Sequence, residues 1–261
     1  MKKILSQATG LGFACAAAYG ISSAPHQALL DVESCYAGLY PTEGIDKGYA
    51  WLTGVQHPLY NLVLHLSCHD QEVAVVLDEL IARLPPGTPI GVLVHEANQP
   101  QHLPETLTMR GFQSLGTLPL MTWDVHPLEE VLESDVRQVA TLDRFLDILC
   151  NYYQIPRSVL EPFYSKVLFR PGCENYMIYK QDVPVGTATL VRGSEGVGGI
   201  FNDAALERYG AGMTLELTRH IMVRCRELGL SRVVLWSAHE LVPAYTALGF
   251  QKAMTMELYV R

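Results

Sequence analysis

The sequence predicts an α/β protein built as two similar halves, each a mixed sheet flanked by helices. Three observations carry that expectation. Short alternating or continuous apolar runs read as strands, longer runs carry apolar residues at helical spacing, and one order of elements occurs twice. At 261 residues the chain is long for a single core and suits two domains of about 100–150 residues each.

The opening residues MKKILSQATGLGFACAAAYGISSAPHQA join Lys2 and Lys3 to a short apolar stretch, a pattern common to secretory signals and ordinary first helices. The polar residues Ser6, Gln7 and Thr9 before that stretch favour the helix. Residues 49–68 alternate apolar and polar side chains, as in YNLVLHL, and read as strand. EVAVVLDELIARL (72–84) is a helix stopped by Pro85-Pro86-Gly87, and PIGVLVHE (89–96) is a buried strand. A short helix ending at Arg110-Gly111-Phe112 and a strand over 118–125 complete the first half.

His126-Pro127 marks a boundary, which divides the chain into 1–127 and 128–261. A helical run restarts at Leu128, and helices over 141–153 and 158–167 are separated by Pro156. Strands over 176–180 and 185–191 flank the turn Gln181-Asp182-Val183-Pro184, and a third strand covers 197–201. The stretch ERYGAGM then leads into a helix over 212–228, capped by Gly229. RVVLWS (232–237) is a buried strand, a short helix ends at Leu248-Gly249-Phe250, and MTMELYV closes as a strand. Both halves thus run strand, helix, strand, short helix ending in Gly-Phe, strand, which on a period of about 130 residues indicates a tandem duplication.

Composition narrows the function. An apolar share of 49% and a charged share of 18% are those of a globular protein. A net charge of −8 with 19 scattered Lys and Arg argues against a nucleic-acid surface and suits a basic partner such as an amine. No segment reaches the roughly 18–20 apolar residues that span a bilayer, so no membrane partner is expected. The six cysteines are widely spaced without CxxC and read as reduced thiols of a cytoplasmic protein. His65-Leu-Ser-Cys68-His69 could hold a metal but offers no second ligand pair, so no metal is expected.

Gly210 and Gly212 need a cause where a helix begins, because glycine costs about 0.5–1 kcal/mol in a helix interior relative to alanine. One reading is a loop and an N-cap. The other is a turn whose bare backbone N–H groups face a phosphate at the helix N-terminus. The context of this turn decides what it resembles. With the strands VPVGTATLV and GGIFNDAAL before it, VVLWS after it and the terminal AYTALGF, the second half resembles the GNAT (Gcn5-related) N-acetyltransferases. The whole chain resembles tandem forms whose first domain is degenerate. The implied fold is two GNAT-like domains, each a mixed, mostly antiparallel splayed sheet flanked by helices.

The resemblance implies acetyl-CoA as cosubstrate, lodged in the splay. Its pantetheine amides would pair with the strand end Asn202, Asp203, Ala204 and Ala205, and its pyrophosphate would meet the turn Arg208, Tyr209, Gly210, Ala211, Gly212, Met213 and Thr214. The family's turn is R/Q-x-x-G-x-G/A. One register sets Gly212-Met213-Thr214 on its last three positions and Tyr209 on the cationic one; another sets Gly210-Ala211-Gly212 there and Glu207 on the cationic one. The first is preferred, because a carboxylate beside pyrophosphate is unfavourable. Tyr245, four residues before Gly249, falls where the family keeps a tyrosine that protonates the departing thiolate; packing against Gly-Phe is its alternative reading. Ser237 would touch the cofactor arm or cap the next helix. Glu195, Asp203 and His239 lie near strand ends as general-base candidates or solvated loop residues.

The expected activity is acetyl transfer to a primary amine on a small molecule, protein or peptide, by direct attack in a ternary complex. The alternative is a non-catalytic acyl-CoA-binding or interaction module. A Rossmann domain fits less well, since the turn lacks G-x-G-x-x-G and the elements do not repeat as βαβ units. The first half is expected to close the acceptor cleft with residues such as Trp51 or the His57-Pro58 loop.

Overall fold

The computed structural model describes residues 24–39, 44–45, 47–126, 134–139 and 141–261. Its first helix, α1 (Ala24–Leu39), buries Leu29, Val32, Tyr36 and Leu39, a helical stripe along one face. The strands β1 (Gly44–Ile45), β2 (Gly48–Leu52) and β3 (Asn61–Leu66) follow, then α2 (Val73–Ala82), β4 (Gly91–Val94), α3 (Leu103–Met109) and β5 (Gln113–Asp124). The second series is β6 (Val136–Gln138), α4 (Asp143–Tyr153), α5 (Arg157–Val167), β7 (Cys173–Lys180), β8 (Val183–Arg192) and β9 (Val197–Ala205). It ends with α6 (Ala211–Glu227), β10 (Arg232–Trp236), α7 (Val242–Ala247) and β11 (Gln251–Val260).

The repeated order is present as β3-α2-β4-α3-β5 and β9-α6-β10-α7-β11. Both short helices end in the same hydrogen-bond pattern. Gly111 and Gly249 take left-handed φ of 82° and 98°, while Phe112 N–H reaches Leu107 O and Phe250 N–H reaches Tyr245 O, each at 3.0 Å. These are Schellman turns, and they place Leu107 and Tyr245 at equivalent positions.

Two expectations need adjustment, and two others lie outside the described residues. The 49–68 stretch is two strands joined by a short 3-10 turn at Pro58–Tyr60, because proline cannot donate to a ladder and Asn61 Oδ1 instead accepts from Thr53 and Gly54 N–H. The β7–β8 turn needs only Gln181 and Asp182, both left-handed, so Val183 and Pro184 belong to β8. The helical restart at Leu128 falls outside the described residues, and Val136–Gln138 just beyond is a strand paired with β7. The N-terminal residues 1–23, including the signal-like pattern, also lie outside them.

The strands form an eleven-stranded sheet in the order β1-β2-β3-β4-β11-β5-β10-β9-β8-β7-β6. Neighbours are antiparallel except β3 with β4 and β9 with β10, one parallel pair in each half. The centre of the sheet is a reciprocal exchange. β5 pairs with β10 of the second series, β11 pairs with β4 of the first, and β5 and β11 pair with each other.

The sheet carries three apolar clusters. One holds α1, α4 and α5 against Trp51, Leu62, Leu64 and Val234. A second holds α6 and α7 against Ile178, Leu190, Ile200 and Leu235, and a third holds α2 and α3 against Val63, Leu66 and Val92. α1 approaches β9 so closely that a Cβ on Gly199 would lie 2.9 Å from Cys35 Cβ, which is why that strand position has no side chain. Arg232 on β10 ties the halves together through Asp31 of α1 and Asp124 of β5, each at 3.0 Å.

Candidate functional site

The parallel pair β9/β10 ends at Ile200 opposite Leu235. Beyond that point β9 continues to Ala205, still paired with β8, while the chain after β10 turns away into a short 3-10 segment and α7. Between Thr187 and Thr189, β8 advances two residues and β9 three, from Ala204 to Phe201. This bulge, with Asn202 at φ 54°, turns Phe201 and Asn202 towards α1 and α5 and aims Asp203 at the opposite face. Among the described residues no backbone hydrogen bond joins Asp203, Ala204 or Ala205 to the β10 side. That edge of the cleft is open.

At the end of the cleft, α6 begins without a side-chain cap and without an acidic residue in its first turn. Its N-cap is Gly210, at φ 65° and ψ −175°, a conformation reserved almost entirely for glycine. A Cβ on Gly210 or on Gly212 would meet nothing within 4 Å. Met213 and Thr214 are buried and point inward, so the open face of the first turn is lined by Gly210, Ala211 and Gly212. Gly210 N–H goes to Glu207 O, and the unpaired N–H groups of Ala211 and Gly212 with the positive end of a 17-residue helix face free space, the arrangement an anion needs. Arg208 is exposed and stacks on the Tyr209 ring at 4.9 Å, next to this turn.

Tyr245 is 2% exposed and its hydroxyl donates to Asp203 Oδ2 at 2.7 Å. Burial, then the Asp203 charge, pushes the ionisation of Tyr245 far above that of an ordinary phenol. Burial likewise pushes the Asp203 carboxyl up to about 7, although the Tyr245 hydroxyl bond pulls the other way. Its second oxygen, Oδ1, is enclosed and has no geometric hydrogen bond, with Thr218 alongside. Ser237 is buried; its N–H goes to Pro119 O and its hydroxyl to Ala238 O. Glu195 lies in the turn before β9, at the far end of that strand from the cleft, and His239 is exposed in the segment before α7.

The first half shows what the same frame looks like without a site. Its parallel pair ends at Val63 opposite Val92, and β3 carries a bulge against β2 at the next position. Counting from there, Leu64 and Leu66 match Phe201 and Asp203. The cleft beside them is filled by the chain itself. His95 Nε2 donates to Leu64 O at 2.7 Å, Leu66 N–H goes to Asn98 Oδ1 at 2.8 Å, and Gln99 N–H goes to Leu66 O at 3.0 Å. The helix start is closed too, by a capping box between His69 and Glu72, with Asp70 accepting from His102 N–H. Where the second half has Asp203 and Tyr245, the first has Leu66 and Leu107, both fully buried.

No protein-family profile and no curated protein matches the chain. Solved structures do. A GCN5-related N-acetyltransferase from Kribbella flavida superposes with a TM-score of 0.63 at 15% identity, over 89% of this chain and 94% of that one. A functionally unknown conserved protein from Staphylococcus epidermidis gives 0.61 at 13%, over 84% and 92%. A tandem GNAT protein from the clavulanic acid biosynthesis pathway, solved without acetyl-CoA, gives 0.50 at 11%, over 72% and 69%. The fold is that of the GCN5-related N-acetyltransferases. At these identities the likeness concerns the fold, so the work each residue does has to come from the geometry.

On the other face of the GNAT sheet, at the apex of the β9/β10 cleft, lies a cavity of about 150 Å³. β9 and β10 contribute Phe201, Asn202 and Trp236; α5 contributes Phe163 and Tyr164. The first half supplies Tyr36 from α1, Trp51 from β2 and Tyr60, which follows the His57-Pro58 loop. No Asp, Glu, Lys, Arg or His lines it. Sequence reasoning singled out Trp51 and that loop, but not the aromatic cluster as a whole, whose members are scattered over the chain. Among the described residues no group of His, Cys, Asp and Glu could hold a metal, and no helix is long and apolar enough to cross a membrane.

Proposed function

We propose that this chain is an N-acetyltransferase that moves the acetyl group of acetyl-CoA to a primary amine by direct attack in a ternary complex. The contrast between the halves carries the reading: one cleft is open, ends in an uncapped helix and is floored by Asp203 and Tyr245, while its counterpart is plugged, capped and lined by leucines. The frame itself requires no polar pair at these positions, as Leu66 and Leu107 of the first half show.

In this reading the free edge of Asn202, Asp203, Ala204 and Ala205 receives the pantetheine amides, and the turn Gly210, Ala211, Gly212, Met213 and Thr214 sets the pyrophosphate in the helix field, with Ala211 and Gly212 supplying the free N–H groups. Arg208 swings from Tyr209 to the phosphates, and Ser237 borders the arm. The amine nitrogen attacks the thioester carbon; the N–C bond forms and the C–S bond breaks. Tyr245 gives its proton to the sulfur, protonated Asp203 replaces it, and the proton shed by nitrogen passes to water and restores Asp203. The first half, 1–127, serves as a degenerate domain that closes the acceptor side over the 128–261 domain. Five unpaired cysteines among the described residues fit a cytoplasmic setting.

The test is thiol release from acetyl-CoA across a panel of amines, beside a titration with CoA. Turnover on any acceptor supports the enzyme. CoA binding without thiol release supports a non-catalytic acyl-CoA-binding module instead, which the commitment of the Tyr245 hydroxyl to Asp203 would then explain. Absence of CoA binding removes both.

A further inference from the structure

The role of Tyr60 on the cavity wall is fixed by a chain of hydrogen bonds that starts at its far end. Leu168 O can only accept, so Asn175 turns its Nδ2 to it and leaves Oδ1 as an acceptor. Thr189 must therefore donate to Asn175 Oδ1, at 2.9 Å, and its own oxygen accepts from Asn202 Nδ2, also at 2.9 Å. That leaves Asn202 Oδ1 to accept the only proton of Tyr164, at 2.5 Å. Tyr60, 2.7 Å from Tyr164, is then obliged to be the donor. Its proton is spent, and among the described residues nothing donates to its oxygen. The last polar group of the chain, on the cavity wall, offers lone pairs only.

The remaining wall is aromatic and uncharged; besides Tyr60 it carries the phenols of Tyr36 and Tyr153 and the indole N–H groups of Trp51 and Trp236, unpartnered among the described residues. Tyr36 packs edge-on against Trp51 at 4.7 Å and against Phe201 at 5.1 Å, leaving ring faces and edges as the lining. A cavity of about 150 Å³ accommodates roughly one benzene-sized ring. A carboxylate or second ammonium placed there would lose its hydration without gaining a counter-ion.

From this we infer that the cavity binds an arylalkyl primary amine, one aromatic ring joined by a short alkyl link to NH₂ and carrying no carboxylate, with the nitrogen donating to Tyr60 Oη. The same environment disfavours the ammonium form, so the amine enters neutral and no carboxylate base is needed at its side. The inference rests on the acyl-transfer reading, and two separate readouts keep their failures apart.

The experiment compares acetylation of phenethylamine, lysine and spermidine by the full chain, and follows phenethylamine binding by quenching of tryptophan fluorescence, since Trp51 and Trp236 line the cavity. The expected result is a kcat/KM for phenethylamine at least about tenfold above either polar amine, with saturable quenching. Tyr60→Phe raises the phenethylamine KM about tenfold and leaves kcat within about threefold, and Val32→Phe fills the cavity and removes the quench while CoA still binds. Transfer to lysine or spermidine that equals or exceeds transfer to phenethylamine overturns the inference and leaves the acyl-transfer reading intact. No quench by phenethylamine at saturating CoA also overturns it. Quenching that Val32→Phe abolishes, with no amine acetylated, upholds the site and removes the enzyme.

Discussion

Gly210 and Gly212 are held by different forces, and exchanging each for alanine separates them. Gly210 occupies φ 65° and ψ −175°, where a side chain costs about 1–3 kcal/mol through the backbone alone, since the added Cβ meets nothing. Gly210→Ala should therefore lower stability by that amount. Gly212 is the second helical residue, with ordinary helical backbone and open space before it. Nothing in the protein itself requires a glycine there, and Gly212→Ala should stabilise the ligand-free chain by up to about 0.5–1 kcal/mol, a rise in Tm of roughly 1–4 °C. If a pyrophosphate packs against this turn, the methyl group stands between it and the N–H groups. Losing one charge-assisted hydrogen bond, worth about 1.5–3 kcal/mol, weakens CoA about 10- to 100-fold. Thermal melts and calorimetric titration with CoA measure both quantities. A Gly212→Ala protein that is more stable and binds CoA like the parent would show that the open turn is not the phosphate site.

Three further outcomes follow from the contrasts described. CoA should bind with a stoichiometry of one per chain by calorimetry, because His95, Asn98 and Gln99 occupy the first cleft; two equivalent sites would contradict the plug. Tyr245→Phe should cut kcat about 100-fold at unchanged CoA affinity, and Asp203→Asn should remove a fall in kcat above pH of about 7, because the carboxyl form that resupplies Tyr245 is lost there. Stability should show opposite signs for two buried groups. His95, pulled by burial down to about 4, is neutral in the fold while the unfolded chain takes up a proton below about 6.5, so its share of stability, about 3 kcal/mol, is lost as pH falls from 6.5 to 4. Asp203, pushed up to about 7, does the reverse: its contribution is present below about 4 and is lost as pH rises to 7. Urea titrations at pH 4.5 and 7.5 should show His95→Gln gaining stability on acidification relative to the parent, and Asp203→Asn losing it.

Much of the frame was legible because it is local. Helical spacing, Pro stops and the two Gly-Phe turns located α2 to α7 within a few residues, and the repeated order disclosed the duplication. The glycine turn announced itself because only a special backbone or a close ligand rewards two glycines at a helix start. What escaped depends on partners distant in sequence. The exchange of β5 and β11 cannot be read from strands that carry the same apolar pattern whichever neighbour they take. The Asp203 and Tyr245 pair joins a strand to a helix about 40 residues on, and only the bulge at Asn202 turns Asp203 towards it. The plug of the first cleft uses His95, which reads in sequence as part of the strand 89–96 although β4 ends at Val94, and Asn98 in the loop beyond it.

The exchange at the centre of the sheet also sets an order on synthesis. β4, already beside β3, finds its second neighbour only in β11, and β5 finds both of its neighbours in β10 and β11, so the earlier half has to wait, unfinished and with strand edges bare, until the later half has left the ribosome. A ribosome stalled before β11 would release a chain with β4 and β5 both short of a partner, and residues 128–261 produced alone would have β10 and β11 in the same state. The two copies of the duplication are in this sense one folding unit, and a change that weakens β11 falls on the cavity wall supplied by the first half as heavily as on the cleft of the second.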